Sequence, residues 1–327
     1  MNILGIETSC DETAASVVVD GVYARSNVIA TSLKDHQRFG GIIPEIASRR
    51  QIELVHWVVG EAIAQAKMTL NDIDAIAVTR SPGLMGSLLV GLSFARALAR
   101  ATHKPLIEID HIKAHIYANY VKLEGKESCP IERLPAVGLV VSGGHSSLFY
   151  MKDFHTFKLL GSTRDDAAGE AFDKVARILD LGYPGGPVID RLAQEGVNKD
   201  IKFNYAPLAG SYDFSFSGVK TAVLYYTQKN KSKPDFNVAK VAYAFQESVV
   251  EVLVEKSLLA CRKMKTNTLL IGGGVAANSA LRHHLKERAA KEGVDVYFPP
   301  MILCLDNAAM IAGLGYQWLK KGGRHGL

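Results

Sequence analysis

The sequence predicts an α/β protein of two similar lobes. Three observations predict it: the length, a mixed composition, and an order of strands and helices that runs twice along the chain. At 327 residues the chain is about twice the usual ~150 of one domain, enough to bury two cores without disulfide or metal staples. With 48% hydrophobic and 22% charged residues, it is neither disordered, collagen-like, coiled-coil nor low-complexity.

In the first half, Ile3 to Ile6 is apolar apart from Gly5, the polar run Glu7 to Thr13 follows, and Ala14 to Val19 is apolar again. This reads as strand, turn, strand, and Val22 to Thr31 adds a third strand. Ile43 to Met68 carries Ile52, Val55, Val59, Ala62 and Ile63 at helical spacing, with Pro44 in its first turn. Strand Ala75 to Thr79 leads through Arg80-Ser81-Pro82-Gly83 into a helix from Gly86 to Ala101. Strand Leu106 to Ile109 and a helix beginning near His111 complete the half.

The second half opens with the same grammar: strand Val137 to Val141, a polar Gly-rich turn, strand Leu148 to Met151 and a third strand from Phe157 to Leu160. Helix Ala167 to Leu181, a glycine-proline turn at Tyr183 to Pro187 and a long helix from Asn237 to Lys263 follow. Strand Thr268 to Ile271 runs into Gly272-Gly273-Gly274, helix Asn278 to Glu292, strand Val294 to Phe298 and a last helix from Asp306 to Lys320. The repeated order implies a duplicated unit. The expected lobes are residues 1–132, with a C-terminal helix over 307–322 packing back on them, and 133–306. Residues 198–233 lack clear periodicity and read as an irregular insertion. No Gly-, Ser- or Pro-rich linker separates the lobes, so they are expected to share a cleft.

Thirty-eight Lys and Arg against 33 Asp and Glu give a formal charge of +5, compatible with a polyanionic partner without demanding one. Cys10, Cys129, Cys261 and Cys304 form no CxxC pair, which argues against a disulfide framework and a four-cysteine zinc site. Acidic residues stand where a signal peptide needs a basic start and an apolar core. The uncharged stretch Leu134 to Met151 carries Ser142-Gly143-Gly144-His145-Ser146-Ser147 in its middle, unlike a membrane helix. A cytoplasmic protein without membrane contact is expected.

His111 and His115, four apart, project from one helix face and can share a metal ion; they also read as two polar residues at a helix start. Position 112 is Ile, so the zinc-protease pattern HExxH is absent. Asp306 is the candidate third ligand. Gly143-Gly144, Gly185-Gly186 and Gly272-Gly273-Gly274 each follow the pattern of an ordinary tight turn, yet three of them in one α/β chain favour a nucleotide site. None matches a P-loop or the Rossmann fingerprint. Asn278 either caps its helix or bonds a nucleotide. Asp166, Glu170 and Asp173 are spaced to share a helix face, with Asp173 able to reach a ribose hydroxyl, while first-turn carboxylates also serve the helix dipole. Asp11 and Glu12 can orient a ligand or metal-bound water, and Cys10 reads better as a small buried residue than as a nucleophile.

As a set these residues are recognisable. Glu7-Thr8-Ser9-Cys10-Asp11-Glu12-Thr13, His111-x-x-x-His115, Val141-Ser142-Gly143-Gly144-His145, Asp166 to Lys174, Tyr183-Pro184-Gly185-Gly186-Pro187, Phe214-Ser215-Phe216-Ser217-Gly218, Gly272 to Asn278 and Asp306 to Met310 resemble the tRNA threonylcarbamoyladenosine transferase family, whose bacterial members are called TsaD. The likeness covers essentially the whole chain in order. It implies an actin/Hsp70/sugar-kinase (ASKHA) fold, two ribonuclease-H-like lobes around a nucleotide cleft. It implies transfer of the threonylcarbamoyl group from threonylcarbamoyl-AMP to N6 of the adenosine 3′ of the anticodon, in tRNAs reading codons that begin with A. By the same resemblance His111, His115 and Asp306 hold one divalent metal ion, iron or zinc. Val140, Val141, Ser142, Gly143, Gly144, Asp173, Gly186, Asp190 and Asn278 hold the adenine nucleotide, which is threonylcarbamoyl-AMP as substrate, or bound ATP or ADP. Asp11, Glu12 and His145 face the chemistry. The implied partners are tRNA, an inactive TsaB-like paralogue in a heterodimer and a small TsaE-like P-loop ATPase.

Leu305, where many relatives have Thr, and Ser81, where Gly is common, depart from the pattern, and neither is itself a proposed ligand. Other readings are a sugar-kinase-like phosphotransferase, which needs a catalytic Asp but no histidine-bound metal, a protease, which the missing glutamate at 112 opposes, and a non-catalytic nucleotide-binding scaffold. Lys113, Lys122 and Lys126 offer a basic region for tRNA phosphates, or are ordinary solvated lysines.

Overall fold

The computed structural model describes residues 1–322 except 38, 198, 199, 206, 207 and 209. The chain forms two compact units: Met1–Arg133 with Lys152–Phe157 and Tyr297–Leu327, and Leu134–Met151 with Lys158–Val296.

In the first unit, β1 (Asn2–Glu7), β2 (Glu12–Val19), β3 (Tyr23–Ala24) and β4 (Val28–Thr31) open the chain, and α1 (Leu33–Gln37) and α2 (Pro44–Gln65) follow. Then come β5 (Ala75–Ser81), α3 (Met85–Thr102), β6 (Leu106–Asp110) and α4 (His111–Tyr117). The sheet order is β3-β2-β1-β5-β6, with β4 also on β2. β1 is antiparallel to β2 and parallel to β5. The unbroken burial of β1 from Ile3 to Glu7 fits its central place, covered on both faces. Leu4 and Ile6 join Val17, Val58, Val59, Ile76 and Val78 in one buried cluster.

The expected single strand over Val22 to Thr31 is two short ones. Ser26 interrupts the ladder: its hydroxyl oxygen accepts from the Val17 amide at 3.0 Å, and its carbonyl accepts from Ser16 Oγ at 2.6 Å. A side chain has replaced a backbone partner there.

The second unit holds β7 (Ala136–Val141), β8 (Ser146–Asp153), β9 (Thr156–Ser162), α5 (Ala168–Ile178), α6 (Gly185–Glu195), α7 (Ser217–Asn230), α8 (Val238–Met264), β10 (Thr268–Gly272), α9 (Ser279–Lys291) and β11 (Asp295–Tyr297), the last reaching one residue into the first unit. Its sheet order is β11-β10-β7-β8-β9. β7 pairs antiparallel with β8 and parallel with β10, as β1 does with β2 and β5. Read from the hairpin side, the first sheet runs third, second, first, fifth, sixth strand and the second runs third, second, first, fourth, fifth, so the two orders match once β3 and β4, which both pair with β2, count as one interrupted strand. The duplicated unit is present as topology.

Two expectations in this half are corrected. The run Tyr183 to Pro187 is the entry to α6 rather than a free turn, because the Gly185 amide donates to Asp173 Oδ1 at 2.7 Å and so starts a helix. The stretch expected to be irregular over 198–233 contains the 14-residue helix α7, whose first amides are bound by Asp165. Asn198, Lys199, Ala206, Pro207 and Ala209 of that stretch lie outside the described residues.

The chain returns to the first unit with α10 (Met301–Cys304) and α11 (Ala308–Lys320). Ala308 to Gly315 are all buried. At Gly5, between Leu4 and Ile6, a Cβ would stand 2.2 Å from the Ala308 carbonyl oxygen, so only glycine lets α11 lie this close to β1. Residues 297–306, placed with the second lobe by sequence, thus pack with the first. Among the described residues no helix is long and apolar enough to cross a membrane.

Candidate active site

The first unit gathers its polar residues where β1 and β6 end. Glu7, the last residue of β1, is fully buried, and its Oε2 accepts from Thr79 Oγ1 and lies 3.0 Å from His111 Nδ1. His111 opens α4 directly after β6, with Asp110 as the helix cap through Lys113 N. His115, one turn on, is buried with its ring 4.6 Å from that of His111. Asp306 lies two residues before α11, and its Oδ1 is 3.1 Å from His115 Nε2 and 3.5 Å from His111 Nε2. Ser9 Oγ is 3.2 Å from His111 Nδ1 and donates to Asp306 Oδ2 at 3.5 Å.

The electrostatics are lopsided. Burial opposes the charged form of His111, yet Glu7 and Asp306 hold its pKa up to about 9. Burial, joined by the charge of His111, pushes His115 down although Asp306 pulls the other way. Burial and then the charges of Asp306 and Asp11 push Glu12 well above the usual carboxylate range. The same three influences, with Glu12 added, push the Cys10 thiol up, which disfavours its thiolate.

A metal ion fits this donor set. His111, His115 and Asp306 each offer one ligand atom, all within 4.8 Å of one another. With His111 Nδ1 turned to Glu7, its Nε2 faces the same carboxylate as His115 Nε2, a place where a bound cation would take over from the ring proton. Two imidazoles and a carboxylate suit zinc or iron. His115 Nδ1 is buried without a hydrogen-bond partner. Glu7, Ser9 and Thr79 were given no role by sequence reasoning; the signal in the sequence was a carboxylate closing an apolar strand.

In the second unit the turn between β7 and β8 is closed by Ser142 N donating to the His145 carbonyl at 2.8 Å and His145 N to Ser142 Oγ at 3.2 Å. Val140 and Val141 are fully buried in β7, so only their main chain can meet a ligand. Gly143 and Gly144 are exposed, and a Cβ on either would meet nothing within 4 Å. Gly169, at the start of α5, instead packs on this turn, where a Cβ would lie 2.6 Å from the Ser142 carbonyl oxygen. Gly273 (φ +87°) presses on Val141 in the same way.

Three of the other nucleotide candidates, Asp173, Asp190 and Asn278, have internal partners. Burial pushes Asp173 up while its bond from the Gly185 amide pulls it down. Gly186 faces open space. Asp190 accepts from Ser279 N and Oγ. Asn278 Oδ1 caps α9 through Leu281 N and its Nδ2 donates to Gln246 Oε1, so the capping reading holds for its oxygen. The expected shared face of Asp166, Glu170 and Asp173 is corrected: Asp166 precedes α5 and is held by Lys174 and Lys220.

Comparison with known proteins decides the family. The family model described as tRNA N6-adenosine threonylcarbamoyltransferase matches residues 24–313. Proteins of that name from Clostridium botulinum strain Hall and from Moorella thermoacetica are 52% identical over 329 aligned residues and 51% over 323. These alignments cover 100% and 98% of this chain, and 95% and 93% of the relatives. The chain belongs to the tRNA N6-adenosine threonylcarbamoyltransferase family. For the fold, full-length HypF in its phosphate- and nucleotide-bound form has a TM-score of 0.66 at 14% identity, covering 98% of this chain and 56% of that one. The (R)-2-hydroxyglutaryl-CoA dehydratase component A of Acidaminococcus fermentans has a TM-score of 0.57 at 15% identity, covering 97% and 98%. Both likenesses are of fold alone, and they agree with the ASKHA architecture of two α/β sheets expected for this threonylcarbamoyltransferase family.

Proposed function

We infer that this chain transfers a threonylcarbamoyl group from threonylcarbamoyl-AMP to N6 of the adenosine 3′ of the anticodon in tRNAs reading codons that begin with A, releasing AMP. The observation that carries the reading is the 52% identity along the full chain to a tRNA N6-adenosine threonylcarbamoyltransferase.

The chemistry asks for three things. The exocyclic amine is a weak nucleophile because its lone pair is delocalised into the purine, so the carbamoyl carbon must be made electrophilic. Negative charge growing on oxygen must be met, and a proton must leave N6. His111, His115 and Asp306 would hold one iron or zinc ion, which supplies Lewis-acid polarisation of a phosphate or carbamoyl oxygen. The open amides of Gly143 and Gly144 suit a phosphate, with Ser142, Asp173, Gly186, Asp190 and Asn278 around the rest of the nucleotide. Asp11, Glu12 and His145 are the candidates for taking the N6 proton, and Glu12 has the raised proton affinity that the step needs. A TsaB-like paralogue and a TsaE-like ATPase complete the proposed assembly, in the cytoplasm where tRNA and four free thiols belong.

The test incubates the chain with both partners, tRNA and enzymatically supplied threonylcarbamoyl-AMP, with nucleoside mass spectrometry as readout. Modified adenosine is expected from the wild type and not from His111→Ala. No product from the wild type with competent partners refutes the transferase and promotes the phosphotransferase or scaffold.

A further inference from the structure

Three consecutive carbonyls, those of Cys10, Asp11 and Glu12, are each held by buried side chains, from α2, from α3 and from Ser32 just before α1. Gln51, fully buried on α2, donates its amide to the Cys10 carbonyl at 2.9 Å and to the Glu12 carbonyl at 3.0 Å. Ser87 Oγ of α3 adds a second bond to Cys10 at 3.0 Å. Ser32 Oγ donates to the Asp11 carbonyl at 2.9 Å. That hydroxyl has one hydrogen, so its 3.0 Å contact with His36 Nε2 must be donated by the ring. His36 Nδ1 is then an acceptor, and it takes the Ile43 amide at 3.2 Å, at the entry to α2. The tautomer of this fully buried histidine is thus fixed by its partners.

We propose that His36 is a positioning residue for the transfer reaction: through Ser32 it fixes the main chain of Asp11, and with Gln51 it sets the direction of the Asp11 and Glu12 carboxyls. It touches no reacting atom. This rests on the transferase reading, and a displaced carboxyl lowers turnover without weakening nucleotide binding. Losses of about 10–100-fold are typical when the support of a functional group is removed.

The test measures kcat, donor KM and melting temperature in the reconstituted assay for the His36→Gln, His36→Asn and Gln51→Met variants, with nitrogen NMR of labelled histidine in the wild type. Glutamine places an amide donor near the Nε2 position and can still bond Ser32, whereas asparagine reaches only the Ile43 amide. The expected result is a neutral Nε2–H signal, kcat lowered about 10–100-fold by His36→Asn and Gln51→Met with donor KM within about threefold, and most of kcat retained by His36→Gln. Equal turnover of the two His36 variants, losses that only follow melting temperature, or an Nδ1–H or charged ring overturns the proposal. An inactive wild type refutes the transferase reading instead, and the NMR arm still decides the tautomer.

Discussion

The turn after β1 and the turn after β7 occupy the same place in two sheets of the same strand order, and they have opposite chemistry. The first is packed and acidic: Glu7 is sealed, Ser87, Ser32 and Gln51 hold the carbonyls of residues 10 to 12, and Gly83 lies so close that a Cβ would stand 2.5 Å from the Ser9 carbonyl oxygen. The second is open and uncharged at its tip, with Gly143 and Gly144 facing free space. A scaffold that ends a strand at the same point twice carries buried carboxyls at one end, beside His111, and exposed glycine main chain at the other. The division is set by side chains at the tips, since the strand interiors behind them, Ile3 to Ile6 and Ala136 to Val141, are both apolar and buried.

Removing a proposed cation ligand should do most to break this contrast. Asp306→Ala is expected to abolish metal retention in elemental analysis and to lower tRNA modification by at least about 100-fold, while circular dichroism stays native. Next in size is Gly83→Ala, which forces a methyl into the Ser9 backbone and should cost about 1–3 kcal/mol in chemical denaturation.

A smaller effect belongs to Asp165. Its carboxylate accepts from Ser215 Oγ and from both the amide and hydroxyl of Ser217, and at 2.8 Å from Phe216 N. Partial burial works against ionisation, but these donors hold its pKa below the usual range. Asp165→Ala should therefore cost about 1 kcal/mol at neutral pH. Because the folded pKa is the lower one, that contribution is present above the ordinary aspartate value and fades as pH falls below about 4, so the two stability curves should converge in acid. Smallest is the other half of the glycine test: Gly143→Ala should move stability by no more than about 0.5 kcal/mol. If it costs as much as Gly83→Ala, the two turns are not packed differently and the contrast fails.

Much of this was legible because it is local. The period-2 and period-3.6 patterns gave the strands and most helices, and His111 with His115 is a spacing within one turn. What escaped depends on partners far along the chain. α7 has little apolar bias of its own, and the carboxylate that starts it comes from Asp165, more than 50 residues earlier. The glycines and proline at 185–187 read as a turn because the Asp173 bond that begins α6 lies 12 residues away. Asp306 was nameable as a ligand type, but its meeting with His115 spans 191 positions. Glu7 was visible only as a polar residue closing a strand; its pairing with His111 had to come from β1 and β6 ending side by side around β5.

The seating of α11 has a consequence for synthesis on the ribosome. β1 emerges well before its cover, because the helix that lies on its Gly5 face is made some 300 residues later. All of Leu134 to Val296 is exposed to the cell before that, and can condense on its own sheet while the earlier strands wait with one face open. Asp306 arrives in the same late segment, so the histidine pair meets this carboxylate only after some 190 further residues have been made.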